Sequence, residues 1–373
     1  MIDFKRLLAV LVGLAIVGCT QAAQAPAPQA QTAATPAAGG QAGPTQAAAG
    51  TVTVHYGYSS AGAINGPVYV ADEMGFFAEQ GVAVDYIMFP SASEVIPSVT
   101  RGDVDAAAVG INPATLNALA ANFGIKLVAD TGTQFPGFPL NVLVVTNEMA
   151  GTIKGPADLK GHKIALTPPG MGTASGFLLA KYLGQANLTP NDVDIVPLTF
   201  SDQVAALTNR SVDAALMAEP FATQVTRQGI ARVLTGTDKI LPGYQVTGLL
   251  YTDRFMSTQH AVAQGFMTAF LKGVRVYMAA FGGNAIDRDK VIRIMTKRTD
   301  LKDPQLWADM YPTGSSPDGK LDLQSISESQ AYFKGLGLVQ NTPDPATLVD
   351  TSFSEAAVRA LGPGAAPVPP QHS

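Results

Sequence analysis

From Thr51 onward, apolar and polar residues follow two alternating periods. Thr51-Val-Thr-Val-His-Tyr-Gly-Tyr58 alternates and is rich in β-branched and aromatic residues, which predicts a strand. A polar turn follows over residues 59–66. Pro67 then suits the first turn of a helix whose apolar positions, Val68 to Phe77, recur at helical spacing. Gly81 stops that pattern, and residues 82–89 read as a second strand. Further strands are expected just after Asp105 and at 125–130, 140–146, 163–167, 193–198, 232–235 and 245–251, with helical stretches between them. Beyond Asp253 the pattern is mostly helical. Strands alternating with helices indicate parallel sheets with helices on both faces.

One stretch occurs twice. Val104-Asp105-Ala106-Ala107 returns as Val212-Asp213-Ala214-Ala215, an offset of 108 residues (212 − 104). Each copy reads as helix, tight turn and short buried strand, with a Pro just past the strand, Pro113 in one and Pro220 in the other. Ligands collect outside the carboxyl ends of strands in open α/β sheets. Two such ends predict two lobes facing one cleft. The expected division is a first lobe from 51–145 and 247–361 and a second from 146–246. Strands near 140–146 and 245–251 serve as a two-strand hinge, and a disordered tail covers 362–373. Closure about such a hinge would trap a ligand.

Composition changes this picture mainly at the N-terminus. The 373 residues are 47% hydrophobic and 14% charged, with net charge −5, enough for a sizeable core. No basic stripe argues for nucleic acid. The one cysteine excludes disulfide frameworks and thiolate metal clusters. Lys5 and Arg6 precede an apolar run from Leu7 to Val17, too short to span a bilayer but suited to a secretory signal. Ile16-Val17-Gly18-Cys19 resembles a bacterial lipobox closing a lipoprotein signal peptide over residues 1–19, which implies that Cys19 is lipidated and becomes the new N-terminus. Residues 20–50 contain only Ala, Gln, Pro, Gly and Thr, a disordered linker by composition.

Candidate ligand contacts lie at the predicted strand ends. Ser59 and Ser60 follow the first strand, Ser91 and Ser93 the second, and Gly110 and Asn112 the first repeated strand. Gly172, Thr173 and Ser175 lie in a Gly-rich loop opening a helix, where backbone N–H groups and hydroxyls either meet a ligand or simply cap the helix. That loop nearly matches a dinucleotide fingerprint, but Ser175 replaces the third glycine. Phe138 belongs to a set of aromatics, with Tyr56, Tyr58, Phe135, Phe200, Phe221 and Tyr244, from which one or two could stack on a planar ligand. Glu219 replaces the asparagine of the first copy. A carboxylate there would recognise a cationic or N–H-donating group, or else simply cap a helix. The histidines are scattered and no nucleophile elbow or P-loop occurs, so no catalytic, metal or cofactor site is expected. Asp105 and Asp213 read as structural turn residues.

Several motifs together resemble the extracytoplasmic solute-binding proteins of the nitrate, sulfonate and taurine group, a family that also holds thiamine-precursor binding proteins. They are Gly66 to Gly81, Gly102 to Ala107 with Gly110-Ile-Asn-Pro113, Asp158 to Ala165, the Gly170–Ser175 loop, and Val212 to Ala215 with Glu219-Pro220. The resemblance implies a two-lobed type II periplasmic-binding fold and a monomer held by its lipid at the outer face of a membrane. It implies a small-molecule ligand passed to an ABC permease and ATPase on separate chains. The predicted cleft loops lack Lys and Arg, which favours a neutral or cationic heterocycle over an anion. A ligand-sensing subunit and a thiamine-pyrimidine synthesis enzyme are the alternatives; the enzymes' Cys-rich motif is missing here.

Overall fold

The computed structural model describes residues 50–59, 63–89, 92–282 and 285–370. Cys19, the signal and linker segments, Ser60, Ser91 and the Ser93 side chain lie outside the described residues.

The chain builds β1 (Val52–Tyr58), α1 (Gly66–Glu73), β2 (Val82–Met88), α2 (Ala92–Arg101), β3 (Ala106–Gly110), α3 (Pro113–Ala120) and β4 (Ile125–Thr133). It then forms β5 (Val142–Thr146), β6 (Lys163–Leu166), α4 (Ala174–Gly184), β7 (Asp194–Pro197), α5 (Phe200–Thr208), β8 (Ala214–Met217), α6 (Phe221–Arg227) and β9 (Ala231–Gly236). It returns through β10 (Gln245–Thr252) and continues as helices, among them α7 (His260–Phe281), α8 (Pro304–Asp309) and α9 (Leu323–Gly335). No helix of the described residues is long and apolar enough to cross a membrane.

The strands form two five-stranded sheets, ordered β2-β1-β3-β10-β4 and β7-β6-β8-β5-β9. Both are mixed. β1 runs parallel to β2 and β3, and β6 parallel to β7 and β8. β10 and β5 each run antiparallel to both neighbours. These two strands are the first that the chain enters after passing from the other sheet, so they arrive from the opposite side and run against the rest. The sequence pattern shows a strand's period but not its direction.

The expected lobe boundary needs correction at one strand. Val142–Thr146 is not a linking strand of the first lobe; it is interior to the second sheet, paired with β8 and β9. All five of its residues are buried, which an exposed linking segment could not satisfy. The passage between sheets occurs earlier. Gln134 N–H donates to Tyr244 O (3.0 Å) and Gly243 N–H to Gln134 O (2.7 Å), so the outgoing and returning chains pair there.

Helices cover both faces of each sheet. In the first, α1 and α7 pack over Val54, Tyr56 and Tyr251, with Phe266 and Phe270 from α7. Val95 and Val99 of α2 and Leu116 of α3 cover the opposite face with Val109 and Leu127. In the second, Phe177, Leu178 and Leu183 of α4 meet Ile164, Leu166 and Leu216, while Leu207 and Val225 close the other face on Val144 and Ala215. The contact of α1 with α7 is close enough to require glycine: a Cβ on Gly273 would lie 2.2 Å from Pro67 O.

The tail differs from the expectation of disorder. Residues 362–370 run without helix or strand, but Gly362 O accepts from Arg275 Nη2 (2.7 Å) and Gly364 N–H donates to Asp318 Oδ1 (2.7 Å). A Pro- and Ala-rich composition does not reveal that a partly buried arginine and its aspartate partner hold this segment.

Candidate functional site

Where the chain passes between sheets, polar groups lock the two segments together. Gly137 N–H donates to Asp238 Oδ2 (2.8 Å). Thr237 brackets Asn141: its hydroxyl and N–H donate to Asn141 O (2.9 and 3.0 Å), and its Oγ1 accepts from Asn141 N–H (3.2 Å). The backbone of Asn141 is therefore fixed at the entrance to β5, which leaves its side chain to serve another purpose.

Beside this passage lies a cavity of about 210 Å³. Ala63 and Ile64, which follow β1, form one side of it with Val246 and Thr247 at the start of β10. Phe200, Ala218 and Glu219, beyond the ends of β7 and β8, form the opposite side. Pro139, Leu140 and Asn141 make the floor, and Tyr311 and Thr313 complete the wall. Both sheets thus contribute the loops at their carboxyl ends, the placement expected for ligand sites in open α/β sheets.

Glu219 stands at this wall, but its carboxylate already serves the protein. Oε1 accepts from Thr223 Oγ1 (2.8 Å) and Tyr311 N–H (3.2 Å), and Oε2 from Thr223 N–H (3.0 Å). Burial raises its pKa, against the lowering effect of those three donors. The residue joins the start of α6 to the segment after α8, so its helix-start role is realised. Phe200 stacks on Phe221, with ring centroids 5.4 Å apart and planes at 23°, and presents an aromatic face to the cavity.

The other candidates divide. Ser175 is buried, and its hydroxyl lies 3.4 Å from Asn141 Oδ1, so it reaches the cavity through that residue. Gly110 pairs with Thr247, one strand from the wall. Asn112 caps α3 by accepting from Thr115 N–H (3.1 Å). Thr173 caps α4, its Oγ1 accepting from Gly176 N–H (3.1 Å). Tyr332 of α9 donates to Met171 O (3.0 Å), and a Cβ on Gly172 would meet Leu338 at 3.0 Å. This loop is covered by the segment around α9, not by the cavity. Ser59 follows β1, outside the residues that line the cavity. Phe138 requires correction: it is fully buried in the core of the first sheet and cannot stack on a ligand. An aromatic in a Pro- and Gly-rich stretch carries no periodicity to tell inward from outward. Tyr56 and Tyr244 are likewise buried, with the Tyr244 hydroxyl 2.5 Å from Ser329 Oγ.

Sequence reasoning missed Asn141, Thr247, Tyr311 and Thr313. Asn141 carries a weak signal, a polar residue placed just before a wholly apolar strand. Tyr311 reaches Glu219 across 92 positions and carries none. Among the described residues, no group of three His, Cys, Asp or Glu side chains could hold a metal ion.

Comparison with known proteins bears on this geometry. The sequence model of the family described as NMT1/THI5 like matches residues 65–280. A protein of Bacillus subtilis (strain 168), named for binding aliphatic sulfonates, is 30% identical over 296 residues, covering 72% of this chain and 85% of its own. One of Escherichia coli (strain K12), with the same name, is 29% identical over 223 residues, covering 59% of this chain and 64% of its own. The crystal structure of the periplasmic aliphatic sulphonate binding protein SsuA from Escherichia coli shares the fold, with a TM-score of 0.64 at 24% identity, over 80% of this chain and 92% of that one.

Proposed function

Because the chain belongs to the NMT1/THI5-like family, we propose that it is the extracytoplasmic solute-binding protein of an ABC importer. It captures a small molecule between its two sheets and delivers it to a permease and ATPase on separate chains. The observation that carries this reading is the cavity beside the passage between sheets, lined by strand-end loops of both. Two pairing chain segments joining two sheets are the arrangement that hinge closure uses. Residues 1–19 direct export, Cys19 carries the lipid, and residues 20–50 tether the folded body to the membrane surface. The protein acts as a monomer and without turnover.

A ligand that binds only the folded state stabilises it by mass action, about 2.7 kcal/mol at a hundred times the dissociation constant. The test is a thermal-shift screen of the full-length protein against sulfonates, nitrate, taurine, pyrimidines and flavins. One of them should raise the melting temperature in proportion to the logarithm of its concentration. Chemical conversion of a bound compound by the isolated protein would refute the proposal.

A further inference from the structure

The cavity wall contains neutral hydrogen-bond donors that no other part of the described chain uses. Asn141 is 8% exposed, and its Oδ1 lies 3.4 Å from the Ser175 hydroxyl. Its Nδ2 has no acceptor among the described residues, although the side chain lines the cavity. Thr247 Oγ1 accepts from Thr131 Oγ1 (2.9 Å), which leaves its own proton for another acceptor. Thr313, also on the wall, is committed to Tyr277 through both its N–H (3.4 Å) and its hydroxyl. Donors left open at a cavity wall are met by water or by what the cavity binds.

Charge narrows the ligand. None of the lining residues described is Lys, Arg or His, and the one carboxylate, Glu219, lines the same cavity. A buried anion needs a positive charge or a full set of donors, and a nearby carboxylate opposes it. The remaining wall, including Ala63, Ile64, Phe200 and Val246, is apolar. The volume equals that of about seven liquid waters.

We propose that this cleft selects an uncharged ligand with an apolar or aromatic body and a carbonyl- or sulfonyl-type acceptor, which Asn141 Nδ2 reads together with the Thr247 hydroxyl. The inference rests on the solute-capture reading and departs from the anionic sulfonates for which the relatives are named.

Benzenesulfonamide and benzenesulfonate share shape and sulfonyl oxygens but differ in charge. In calorimetric titration of the full-length protein, the sulfonamide should bind at least tenfold more tightly than the sulfonate. Asn141→Asp, which replaces the donor by an acceptor of equal size, should weaken the sulfonamide at least tenfold at an unchanged melting temperature. If that variant melts lower, Thr247→Val decides, with a several-fold loss expected. Equal or tighter binding of the sulfonate overturns the inference, as does undiminished sulfonamide binding by both variants. If neither probe binds the native protein, the inference also falls. The capture reading then still stands or falls on the thermal-shift screen alone.

Discussion

Asp105 and Asp213 do the same work in the two sheets. Asp105 Oδ2 takes His55 Nδ1 (3.1 Å) and the His55 N–H (3.0 Å); Asp213 Oδ2 takes His162 Nδ1 (3.0 Å) and the Lys163 N–H (2.9 Å). Each carboxylate thereby ties the turn before a repeated strand to the strand beside it. The repeat extends into the pairing itself. Tyr56 faces Ala106 and Ile164 faces Ala214, both partners displaced by 108 residues (164 − 56 and 214 − 106). Asp105 also receives Arg254 Nη2 (2.8 Å) and is the more buried, with a side chain 4% exposed against 27% for Asp213. Asp105→Ala should therefore cost about 2–3 kcal/mol of folding stability, since it strands charged and backbone donors, and Asp213→Ala about 1 kcal/mol. Chemical denaturation measures both. Ligand affinity should be unchanged in the folded variants, and a selective loss of binding would place these residues in the site instead.

Glu219 separates two roles that were open in the sequence. Three donors hold its carboxylate in place. Glu219→Gln puts an amide N–H₂ against at least one of them and should cost about 1–3 kcal/mol. The same change removes the negative charge from the cavity wall, so benzenesulfonate should bind the variant more tightly than it binds the native protein. A titration showing no gain would mean that the carboxylate does not govern the ligand's charge.

Asp130 predicts a pH dependence. Its carboxylate accepts from Ser316 N–H (2.6 Å), Thr133 Oγ1 (2.9 Å), Gly132 N–H (3.0 Å) and Ser315 Oγ (3.2 Å), yet burial outweighs these bonds and pushes its pKa up to about 6. The folded state thus binds this proton more tightly than the unfolded state, whose value is 3.8. Between these values the unfolded chain is the more deprotonated, so stability falls as pH rises through that window. The loss amounts to about 3 kcal/mol, two units at 1.36 kcal/mol each. Unfolding titrations at pH 4 and pH 7 should show it, and Asp130→Asn should flatten the difference.

Gly273 sits where α7 leaves no room for a side chain against α1. A methyl group would meet Pro67 O at 2.2 Å and Ala71 Cβ at 2.8 Å. Gly273→Ala should force α1 from α7 and cost about 1–3 kcal/mol, although alanine is the better helix former. Thermal unfolding checks the sign: a stabilised variant would mean that the contact relaxes freely.

Cys19 supplies the membrane test. Cys19→Ser should move the protein from the membrane fraction to the soluble one. Continued sedimentation with membranes would contradict the lipid anchor.

The alternation of strands and helices and the duplicated unit are legible in the chain before it folds. These depend on local period and on short motifs such as Val104–Ala107 and Val212–Ala215, which carry their information within a few residues. The sequence also marked Glu219 and the strand ends, because topology places loops there. Only the tertiary structure decided what each polar group does. Asn112 and Thr173 stood open between ligand contact and helix start in the sequence and are helix caps, because a capping partner lies three residues away and is always available. Phe138 turned inward, β5 joined the second sheet, and Tyr311 came to Glu219 from the distant segment after α8, since burial and long-range contact leave no periodic trace. The donors of Asn141 and Thr247 meet at one cavity from two separate segments. Their convergence is a property of the folded chain.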